Sequence, residues 1–355
     1  MGEFANLLEV CQACDNVTYP FTTKEYPTED ERPVPFTFRT VDRDQERLIG
    51  YIDAAFVPAF LRTAQKFTSA SDVPFEFFTA HRDTPETHQP VELEADSEPL
   101  LGVGEYYAKV LLANHLKSFE ERTRVFHQFI LALRASGFFP CLEGWRNEQL
   151  PVYGEDTYPK RAAFTMERAA TPIFGIMTYG VHVNGYHRTP DGALRMWIAR
   201  RSATKPTYPS MLDNVVAGGI TFGDGVLGSV IKECHEEASL PATIAMRAQP
   251  VGTVTYYSST VRGMQPEVQF AFDLEIPADY PLRPCDGEVQ AFYLMDMDEL
   301  RAKLLAGEFK PNSALLAIDF MVRHALITPE NEPDYLEIIA SLHRSPPFPG
   351  PSFAS

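Results

Sequence analysis

Three glutamates lie close together behind a glycine-rich stretch in the second half of the sequence. Glu233, Glu236 and Glu237 are spaced i, i+3 and i+4, so their side chains would share one arc of a helix. Carboxylates packed this closely repel one another, and burying one is costly unless a cation compensates its charge. The spacing therefore allows two interpretations. One is a solvated acidic face, and the other is a site for Mg²⁺ or Mn²⁺, which can bridge to diphosphate oxygens.

The glycines ahead of these glutamates suggest a different chemistry, dinucleotide binding. Residues 223–228 read GDGVLG, which fits the pattern G-x-G-x-x-G. That fingerprint also needs an acidic residue about 20 positions downstream, at the end of a second strand. The following segment, PATIAMRAQPVGTVTYY, contains no acidic residue. The sequence therefore favours the carboxylates as the chemically active groups.

A helix must position these carboxylates. At 100° per residue, the apolar side chains of VLGSVIKECHEEASL fall on one arc, with Glu237 at its edge. The apolar arc comprises Val226, Leu227, Val230, Ile231, Cys234 and Ala238. A tight glycine loop before such a helix can bring backbone carbonyls and amides next to the carboxylates. We therefore predict a loop followed by a helix, with both contributing to the site.

The surrounding sequence predicts a sheet with few helices. An Asp-Gly pair in TPDGA separates two strand-like runs and indicates a hairpin. GTVTYYSST and EVQFAFDLEIP are further strand-like runs. In the first half, helical spacing predicts a helix from Phe119, with Ser118 as its N-cap and Gly137 as its stop. This distribution favours a mixed sheet over a regular series of βαβ units.

Length and turn-rich segments indicate two domains. A chain of 355 residues is long enough for both. The proline- and glycine-containing stretch PCLEGWRNEQLPVYGEDTYP marks the boundary between them. We predict an irregular lead-in over residues 1–35, an α/β domain over 36–160, a second domain over 161–335 and a mobile proline-rich tail over 336–355.

Composition and charge exclude several classes of partner. The sequence has 31 basic and 48 acidic residues and a net charge of -17, which argues against nucleic-acid binding. It contains no run of 18 apolar residues, so we expect no membrane partner. The start lacks the features of a signal peptide, and the five cysteines show no framework spacing. These features predict a cytoplasmic protein with reduced thiols.

One pair of cysteines has a spacing that could carry chemistry. Cys11-x-x-Cys14 matches half of a redox or zinc site, but no second pair or Cys/His cluster completes it. An ordinary N-terminal helix is the alternative interpretation.

The segment GGITFGDGVLGSVIKECHEEASL resembles the Nudix box, G-x5-E-x7-R-E-U-x-E-E-x-G-U, in which U is bulky and apolar. Counted from Gly218, the core E-x-x-E-E is in register. Asp224 replaces the first Glu and keeps a carboxylate on a shorter arm. Lys232 replaces Arg, which keeps the charge but loses the bidentate fork. Ser239 replaces the late glycine, and Gly228 stands where similar sequences often carry Glu.

The resemblance extends over most of residues 35–335. Segments such as GFFPCLEGWRNEQLPVYG and ARRSATKPTYPSMLDNVVAGG are similar to a thiamine-pyrophosphokinase-related subfamily of Nudix hydrolases. Its members join an N-terminal domain of uncharacterised role to a Nudix domain. The resemblance implies an α/β/α Nudix sandwich with a mixed sheet, preceded by a smaller α/β domain. It also implies hydrolysis of a small-molecule diphosphate, such as thiamine diphosphate or its oxidised analogues, by a monomer or homodimer.

The resemblance also implies roles for particular residues. Glu233, Glu236 and Glu237 would hold Mg²⁺, or Mn²⁺, with the Gly219 carbonyl as a further ligand. Glu236 and Glu237 would also be catalytic. Glu288 occupies a position where Nudix enzymes often supply a late carboxylate as a base or extra ligand, although it could equally cap a helix or strand.

Other candidates would contact the substrate. Arg200, Arg201 and Lys205 could donate to diphosphate oxygens, or could simply lie at a solvated strand end. Four residues with aromatic rings in or near the family-like segments could clamp a thiamine-like ring, or could instead pack in the core. They are Trp145, Tyr153, Tyr179 and His182. Glu267 is a weaker candidate because it could merely end a strand.

Two other functions compete with hydrolysis. The first is isomerisation of an isoprenoid-type diphosphate on the same fold, which needs a positioned Cys and Glu as proton shuttles. Cys285 and Glu288 are close enough in sequence to be considered for it. The second is a diphosphate-binding protein with a weakened site, a possibility raised by the altered positions of the box.

Overall fold

The computed structural model describes residues 2–17, 36–42, 45–67, 69–81, 83–91, 105–154, 162–345, 348 and 350–351. Its helices are α1 (Leu7–Cys14), α2 (Val57–Ala64), α3 (Phe119–Ala135), α4 (Thr171–Phe174), α5 (Val226–Ala238), α6 (Ala242–Ala245), α7 (Met297–Leu305), α8 (Pro311–Arg323) and α9 (Tyr335–Leu342). Within the described ranges, none of them combines the length and apolar character needed to cross a membrane.

The strands are β1 (Phe36–Asp42), β2 (Gln45–Ile52), β3 (Phe75–His81), β4 (Thr84–Pro90), β5 (Glu105–Leu112), β6 (Gln149–Tyr153), β7 (Ala162–Glu167), β8 (Thr178–Arg188), β9 (Leu194–Arg201), β10 (Leu212–Asn214), β11 (Val216–Gly219), β12 (Gln249–Thr260), β13 (Gly263–Glu275) and β14 (Val289–Asp296). Short 3₁₀ turns occur at Ala54–Phe56, Ala70–Asp72, Pro140–Gly144 and Arg168–Ala170.

The chain divides into two compact units. The seven-stranded unit comprises Met1–Asn16, Tyr179–Ser258 and Glu267–Ser345. The five-stranded unit comprises Val17–Thr178, Ser259–Pro266 and Pro346–Ser355. The main division thus falls between residues 178 and 179 rather than at the predicted 160/161. The first 16 residues belong to the same unit as the later part of the chain, which the domain prediction did not anticipate.

The seven-stranded unit has helices on both faces of its sheet. The strand order is β10-β9-β8-β13-β12, with β11 on β8 and β14 on β9. Because side chains alternate along β8, Val181 and Tyr186 point to opposite faces. Val181 pairs with Gly218, over which the Glu233 carboxyl of α5 lies. Tyr186 contacts Phe320 of α8 on the other face, with ring centroids 5.7 Å apart. This arrangement confirms the predicted mixed α/β class with layered helices.

Helix α1 lies within the predicted irregular lead-in, so that prediction is wrong for these residues. Its apolar side chains at i, i+3, i+4 and i+7 are all buried: Leu7, Val10, Cys11 and Cys14. Burial raises the pKa of the Cys11 thiol to about 12 and that of Cys14 well above its usual range. Both thiols therefore belong to the apolar face by which α1 packs into the core. The ordinary helix is therefore the correct interpretation of this cysteine pair.

The end of the chain is also more ordered than predicted. Helix α9 occupies the first part of the segment assigned to a mobile tail. Asp15, which follows α1, accepts hydrogen bonds from Arg344 Nη1 at 2.7 Å and from Ser341 Oγ at 3.2 Å. It also accepts the backbone N–H of Tyr257 at 2.9 Å. These contacts attach the segments that follow α1 and α9 to the seven-stranded unit.

The five-stranded unit contains a mixed sheet of order β2-β1-β5-β3-β4. Strands β1 and β5 are parallel, whereas the pairs β1–β2, β3–β4 and β3–β5 are antiparallel. A separate hairpin, β6–β7, packs against α3. The core is rich in phenylalanines whose rings contact one another, including Phe60, Phe75, Phe126, Phe129 and Phe174.

Two local predictions are confirmed because short-range chemistry determines them. Helix α3 begins after Ser118, whose hydroxyl accepts the N–H of Glu121 while the Glu121 carboxylate accepts the N–H of Ser118. The Asp-Gly pair lies in the tight connection of the antiparallel β8–β9 pair, where Gly192 has a φ of 88°.

Candidate active site

The candidate site is built on β11, the glycine loop and α5. The loop is closed by Thr221, whose hydroxyl donates to Asp224 at 2.6 Å and whose carbonyl accepts the Asp224 N–H at 3.1 Å. Asp224 is exposed in this turn. It therefore shapes the entrance to α5 through a local hydrogen bond, which accounts for a short carboxylate at this position.

Helix α5 ends at Ser239, where the compared box has glycine. Ser239 has a φ of 53°, a left-handed conformation that glycine adopts more easily. The N–H of Leu240 donates to the Cys234 carbonyl, and the N–H of Ser239 donates to that of His235. The Ser239 hydroxyl also donates to the Arg283 carbonyl at 3.0 Å. This side-chain bond offsets part of the conformational cost, so the helix ends normally without the glycine.

Glu237 is a buried carboxylate held against the edge of β11. Only 6% of the residue is exposed, and its Oε2 accepts the backbone N–H of Ala217 at 2.9 Å. Burial, followed by the charges of Asp213 and Glu233, raises the pKa of Glu237 well above its usual range. The Ala217 hydrogen bond and the charge of Lys205 act in the opposite direction. A buried carboxylate with these neighbours is a natural ligand for a cation.

Glu233 lies one helical turn before Glu237, over the adjacent residue of β11. A Cβ on Gly218 would overlap the Glu233 carboxyl group, so a larger residue at this strand position would displace that side chain. The Glu233 side chain is 15% exposed, and Lys232 Nζ lies 4.0 Å from its Oε1. The absence of a side chain at Gly218 therefore lets two carboxylates of α5 approach neighbouring residues of the same strand.

The third glutamate of the motif is placed differently. Glu236 is exposed on α5. Among the residues that the structure describes, no three His, Cys, Asp or Glu side chains form a ready metal cage. The structure thus brings Glu233 and Glu237 to the strand and leaves Glu236 in solvent. The role of Glu236 as a metal ligand and catalytic residue stays a prediction.

The two inward carboxylates fit a Mg²⁺ ion. This ion keeps several waters and typically takes one or two protein carboxylates together with substrate phosphates. Glu233 and Glu237 supply the carboxylates, and Gly219, the last residue of β11, follows the Gly218 over which the Glu233 carboxyl lies. A site that Mg²⁺ completes with water and phosphate does not require a third carboxylate.

Lys205 and Glu288 form an ion pair that includes one predicted substrate ligand and one predicted catalytic residue. Lys205 Nζ contacts Glu288 Oε2, with side-chain exposures of 15% and 45%. The backbone N–H of Ser202 donates to the Glu288 carbonyl at 2.8 Å, which holds the two segments together. Since the charge of Lys205 also lowers the pKa of Glu237, this pair belongs to the electrostatics of the site. The predicted roles of Lys205 and Glu288 remain predictions.

The structure gives Arg200 and Arg201 a role that the sequence did not predict. Arg201 is buried, with Nη1 on Asp213 Oδ2 at 2.8 Å and its other nitrogens on the carbonyls of Thr207 and Tyr208. Arg200 donates to the Ser210 carbonyl at 2.8 Å. Both guanidinium groups hold the loop of residues 202–211. Protein groups thus engage both guanidinium groups in this structure, and their predicted roles as diphosphate ligands stay predictions.

The aromatic candidates also differ from the prediction. His182 is 2% exposed, and its Nδ1 bonds Asn214 Oδ1 at 2.7 Å, so it cannot clamp a ligand ring in this structure. Tyr179 is buried too. Trp145 and Tyr153 belong to the five-stranded unit, where Trp145 donates to Asn147 at 3.0 Å. Those two remain predictions.

The sequence analysis missed Asp213, a buried carboxylate next to the candidate site residue Arg201. Asp213 is buried and contacts Arg201, the Ser313 hydroxyl and, at 3.9 Å, Lys310 Nζ. Burial raises its pKa, but the charges of Lys310, His182 and Arg201 outweigh that effect and lower it to about 2. The signal that could have found Asp213 is the polar pair Asp-Asn inside the apolar run LDNVV.

Acid should destabilise the seven-stranded unit through His182. Burial, with the charge of Lys310, lowers the pKa of His182 to about 4, against an unfolded value of about 6.5. The unfolded chain then binds the proton first, so the contribution of His182 to stability falls by about 3 kcal/mol as pH drops from about 6.5 to 4. The raised pKa of Glu237 acts in the opposite direction over the same range, so the His182 effect is measured as the difference from a His182 variant. Asp213 loses its contribution only below about pH 4. Urea unfolding from pH 7.5 to 4.5 measures this slope.

The control for this titration is the exposed His235 on α5. His235→Asn should keep the pH dependence of the unmodified chain, whereas His182→Gln should lose less stability than the unmodified chain on acidification. An unchanged slope in His182→Gln would assign the acid sensitivity to other groups.

Gly228 is an exposed helical glycine in α5 with open space around it. A Cβ there meets nothing within 4 Å, so Gly228→Ala should stabilise the protein by about 0.5–1 kcal/mol. Gly223 in the preceding loop also has open space but a φ of +96°. Gly223→Ala should therefore destabilise by about 1 kcal/mol or more. Denaturant unfolding of both variants checks the two signs, and equal signs would contradict the assigned backbone conformations.

Comparisons with known proteins identify relatives of this chain. Residues 95–178 match a family described as a domain of unknown function, DUF4743. The yeast protein YJR142W of Saccharomyces cerevisiae, described as uncharacterised, is 37% identical over 246 residues, which span 66% of this chain and 71% of that protein. Nudix hydrolase 20 of Arabidopsis thaliana is 41% identical over 63% of this chain and 58% of its own length.

A second Arabidopsis protein, Nudix hydrolase 24, is 38% identical over 70% of this chain and 66% of its own length. Among solved structures, the Nudix domain of Shewanella oneidensis NrtR, complexed with ADP ribose, aligns with 43% of this chain and 91% of that chain. It is 13% identical, with a TM-score of 0.34. The chain is thus similar to two named Nudix hydrolases, of whose own lengths it covers 58% and 66%.

Proposed function

We propose that the seven-stranded unit hydrolyses a diphosphate bond of a small molecule with the help of Mg²⁺. Support comes from its relatedness to two named Nudix hydrolases and from the placement of the box glutamates. The observation that carries the proposal is Glu237, a carboxylate 6% exposed and held beside Glu233. Two inward carboxylates this close are costly to a fold that has no cation for them.

The residues of this chain would divide the work as follows. Glu233 and Glu237 would hold the ion, with the Gly219 carbonyl as a further ligand. When bound, Mg²⁺ polarises the diphosphate and lowers the pKa of an attacking water. Lys205 would donate to a phosphate oxygen, and Glu288 would accept a proton once Lys205 has moved from it. The hydrogen bond from Ala217 orients the Glu237 carboxylate before the ion arrives.

Thiamine diphosphate and its oxidised analogues are the substrates we propose first, because the chain resembles the thiamine-pyrophosphokinase-related subfamily over most of its length. The buried positions of His182 and Tyr179 leave the ring contacts to other residues. A nucleoside diphosphate derivative is the next class to compare, since the catalytic groups act on the diphosphate and not on the ring.

The test is release of phosphate or monophosphate from thiamine diphosphate, oxo- and oxythiamine diphosphate, ADP-ribose and NADH. Each reaction is run with Mg²⁺ and with EDTA. We expect Mg²⁺-dependent release, greatest for a thiamine compound. Release that persists in EDTA would contradict the metal-dependent mechanism. Mg²⁺-dependent release restricted to ADP-ribose or NADH would keep the hydrolase and overturn the thiamine assignment.

The isomerase alternative has weaker structural support. Cys285 is exposed, and Glu288 is paired with Lys205. If the protein cleaves none of these compounds but they raise its melting temperature, we conclude that it binds diphosphates without hydrolysing them.

A further inference from the structure

Tyr256, Glu267 and Gln269 form a hydrogen-bonded group on the neighbouring strands β12 and β13. Tyr256 Oη and Gln269 Nε2 both donate to Glu267 Oε2, the latter at 2.6 Å. Gln269 Nε2 also donates to Tyr256 Oη at 3.2 Å. Burial, followed by the charge of Glu267, raises the pKa of Tyr256 well above its usual range, so the phenol keeps its proton. The donors of these side chains are therefore all used within the group.

The oxygens left over in this group are acceptors. Because its nitrogen faces Glu267, the Gln269 carboxamide turns Oε1 away, and that oxygen accepts no hydrogen bond from any described residue. Gln269 is 4% exposed, and an unpaired acceptor buried to this degree is costly and uncommon. Glu267 is partly exposed, and within the described ranges its hydrogen bonds fall on Oε2 alone and no basic side chain pairs with it. A group of this kind can bind only a ligand that donates hydrogen bonds or carries positive charge.

The unpaired oxygen lies against β8, the strand between β13 and β11. A Cβ on Gly180 would overlap Gln269 Oε1, so the carboxamide rests on the bare backbone of this glycine. Gly180 pairs in turn with Gly219, the last residue of β11. Two strand spacings, roughly 10 Å, therefore separate β13 from the strand at which Glu233 and Glu237 lie. A small molecule that joins a ring to a diphosphate is of this length.

We propose that Glu267, oriented by Tyr256 and Gln269, binds a positively charged or N–H-donating group in the ring portion of the substrate. A carboxylate repels a diphosphate, so the two ends of the substrate would be bound at different places. The diphosphate would be bound at α5, and the ring would contact Glu267. This role rests on the proposed function for the identity of the substrate. It makes Glu267 the residue that selects among diphosphates by their rings.

The test separates the two ends of the ligand. Thiamine, which is cationic and has no phosphate, and adenosine, which offers a neutral amino group, probe the ring site by calorimetry without metal. Methylenediphosphonate with Mn²⁺ probes the diphosphate site. Glu267→Gln should weaken binding of the better ring probe at least about tenfold, because a charge-assisted hydrogen bond is lost. It should leave diphosphonate binding unchanged. A larger loss for thiamine identifies a positive charge as the recognised group, and a larger loss for adenosine identifies an N–H donor.

Two further variants make the measurement specific. Glutamine at position 267 has the shape of glutamate and can still accept from Tyr256 and Gln269, so Glu267→Gln should fold. Tyr256→Phe removes one of the two donors that orient the carboxylate and should weaken the same ring probe about threefold. Glu275→Gln is the matched control, because Glu275 is exposed at the end of the same strand. It should change neither binding constant, and circular dichroism verifies the fold of each variant.

Unchanged binding of both ring probes in Glu267→Gln would overturn this role, as would failure of the unmodified chain to bind either probe. Loss of ring and diphosphonate binding together would also overturn it, because that pattern indicates a general structural effect. The two proposals fail separately, since the proposed function fails on turnover of the diphosphates and the role of Glu267 fails on ring binding measured without metal.

Discussion

Glu237→Gln is expected to lower Mg²⁺-dependent turnover at least about 100-fold while stabilising the metal-free protein by about 1–3 kcal/mol at pH 8. Glutamine has the same shape and can still accept the Ala217 N–H, which donates to Glu237 at 2.9 Å. It removes the negative charge that the ion needs. It also removes the cost of burying that charge beside Glu233 and Asp213.

The stability part of this prediction has a definite pH dependence. A carboxyl whose folded pKa is raised loses stability as pH rises from its unfolded value, about 4.3, through the folded one. The difference between Glu237→Gln and the unmodified chain should therefore shrink at pH 5. Added Mg²⁺ should stabilise the unmodified chain and not the variant.

Thermal and urea unfolding, with and without Mg²⁺, measure these effects beside the turnover assay. Glu299→Gln, an exposed glutamate in the first turn of α7, is the control and should change neither quantity appreciably. Full activity in Glu237→Gln would remove this carboxylate from the mechanism. Lost activity together with reduced stability would indicate a structural role instead.

Arg201→Met is expected to destabilise the protein by about 3–5 kcal/mol. Arg201 and Asp213 have side chains only 10% and 7% exposed, with Nη1 and Oδ2 2.8 Å apart. Removing the guanidinium leaves a buried carboxylate whose other cation, Lys310 Nζ, is 3.9 Å away. The carbonyls of Thr207 and Tyr208 also lose their donors, so the loop of Lys205 should loosen.

Arg200→Met is the matched control, because Arg200 is 28% exposed and lies 3.9 Å from Glu308. It should cost about 1 kcal/mol or less. Adding Asp213→Asn to Arg201→Met should recover part of the lost stability, because the buried charge is then absent. Guanidinium unfolding gives these values. A stable Arg201→Met with a raised KM would instead restore Arg201 to the substrate site.

Local chemistry explains which parts of the fold were predictable. Helix α5 was predicted from its apolar arc, and α3 from its capping residues, because both signals lie within a few turns of the chain. The same signal was present in α1, with four apolar residues at helical spacing. A helix was considered there only as the alternative interpretation of Cys11 and Cys14, because the surrounding segment is rich in turn-forming residues.

The candidate site was predictable in part. The spacing of Glu233 and Glu237 puts both on one side of α5, and the structure places both at β11. Glu236 has an equally suitable spacing but lies in solvent. The difference comes from β11, the strand packed against α5. Its Ala217 N–H donates to Glu237, and Gly218, which has no side chain, leaves room for the Glu233 carboxyl.

The sequence by itself determined the loop, the helix and the acidic motif, because periodicity, glycine content and charge spacing act between residues close in the chain. Only the tertiary structure determined the burial and the hydrogen-bond partners of Arg201 and His182, because residues from other segments of the chain surround them. Their partners, Asp213 and Asn214, both come from β10, a different strand from those of Arg201 and His182, and their burial depends on the packing of the whole sheet. Burial and long-range charge pairing set their chemistry, and neither can be read from spacing along a single segment.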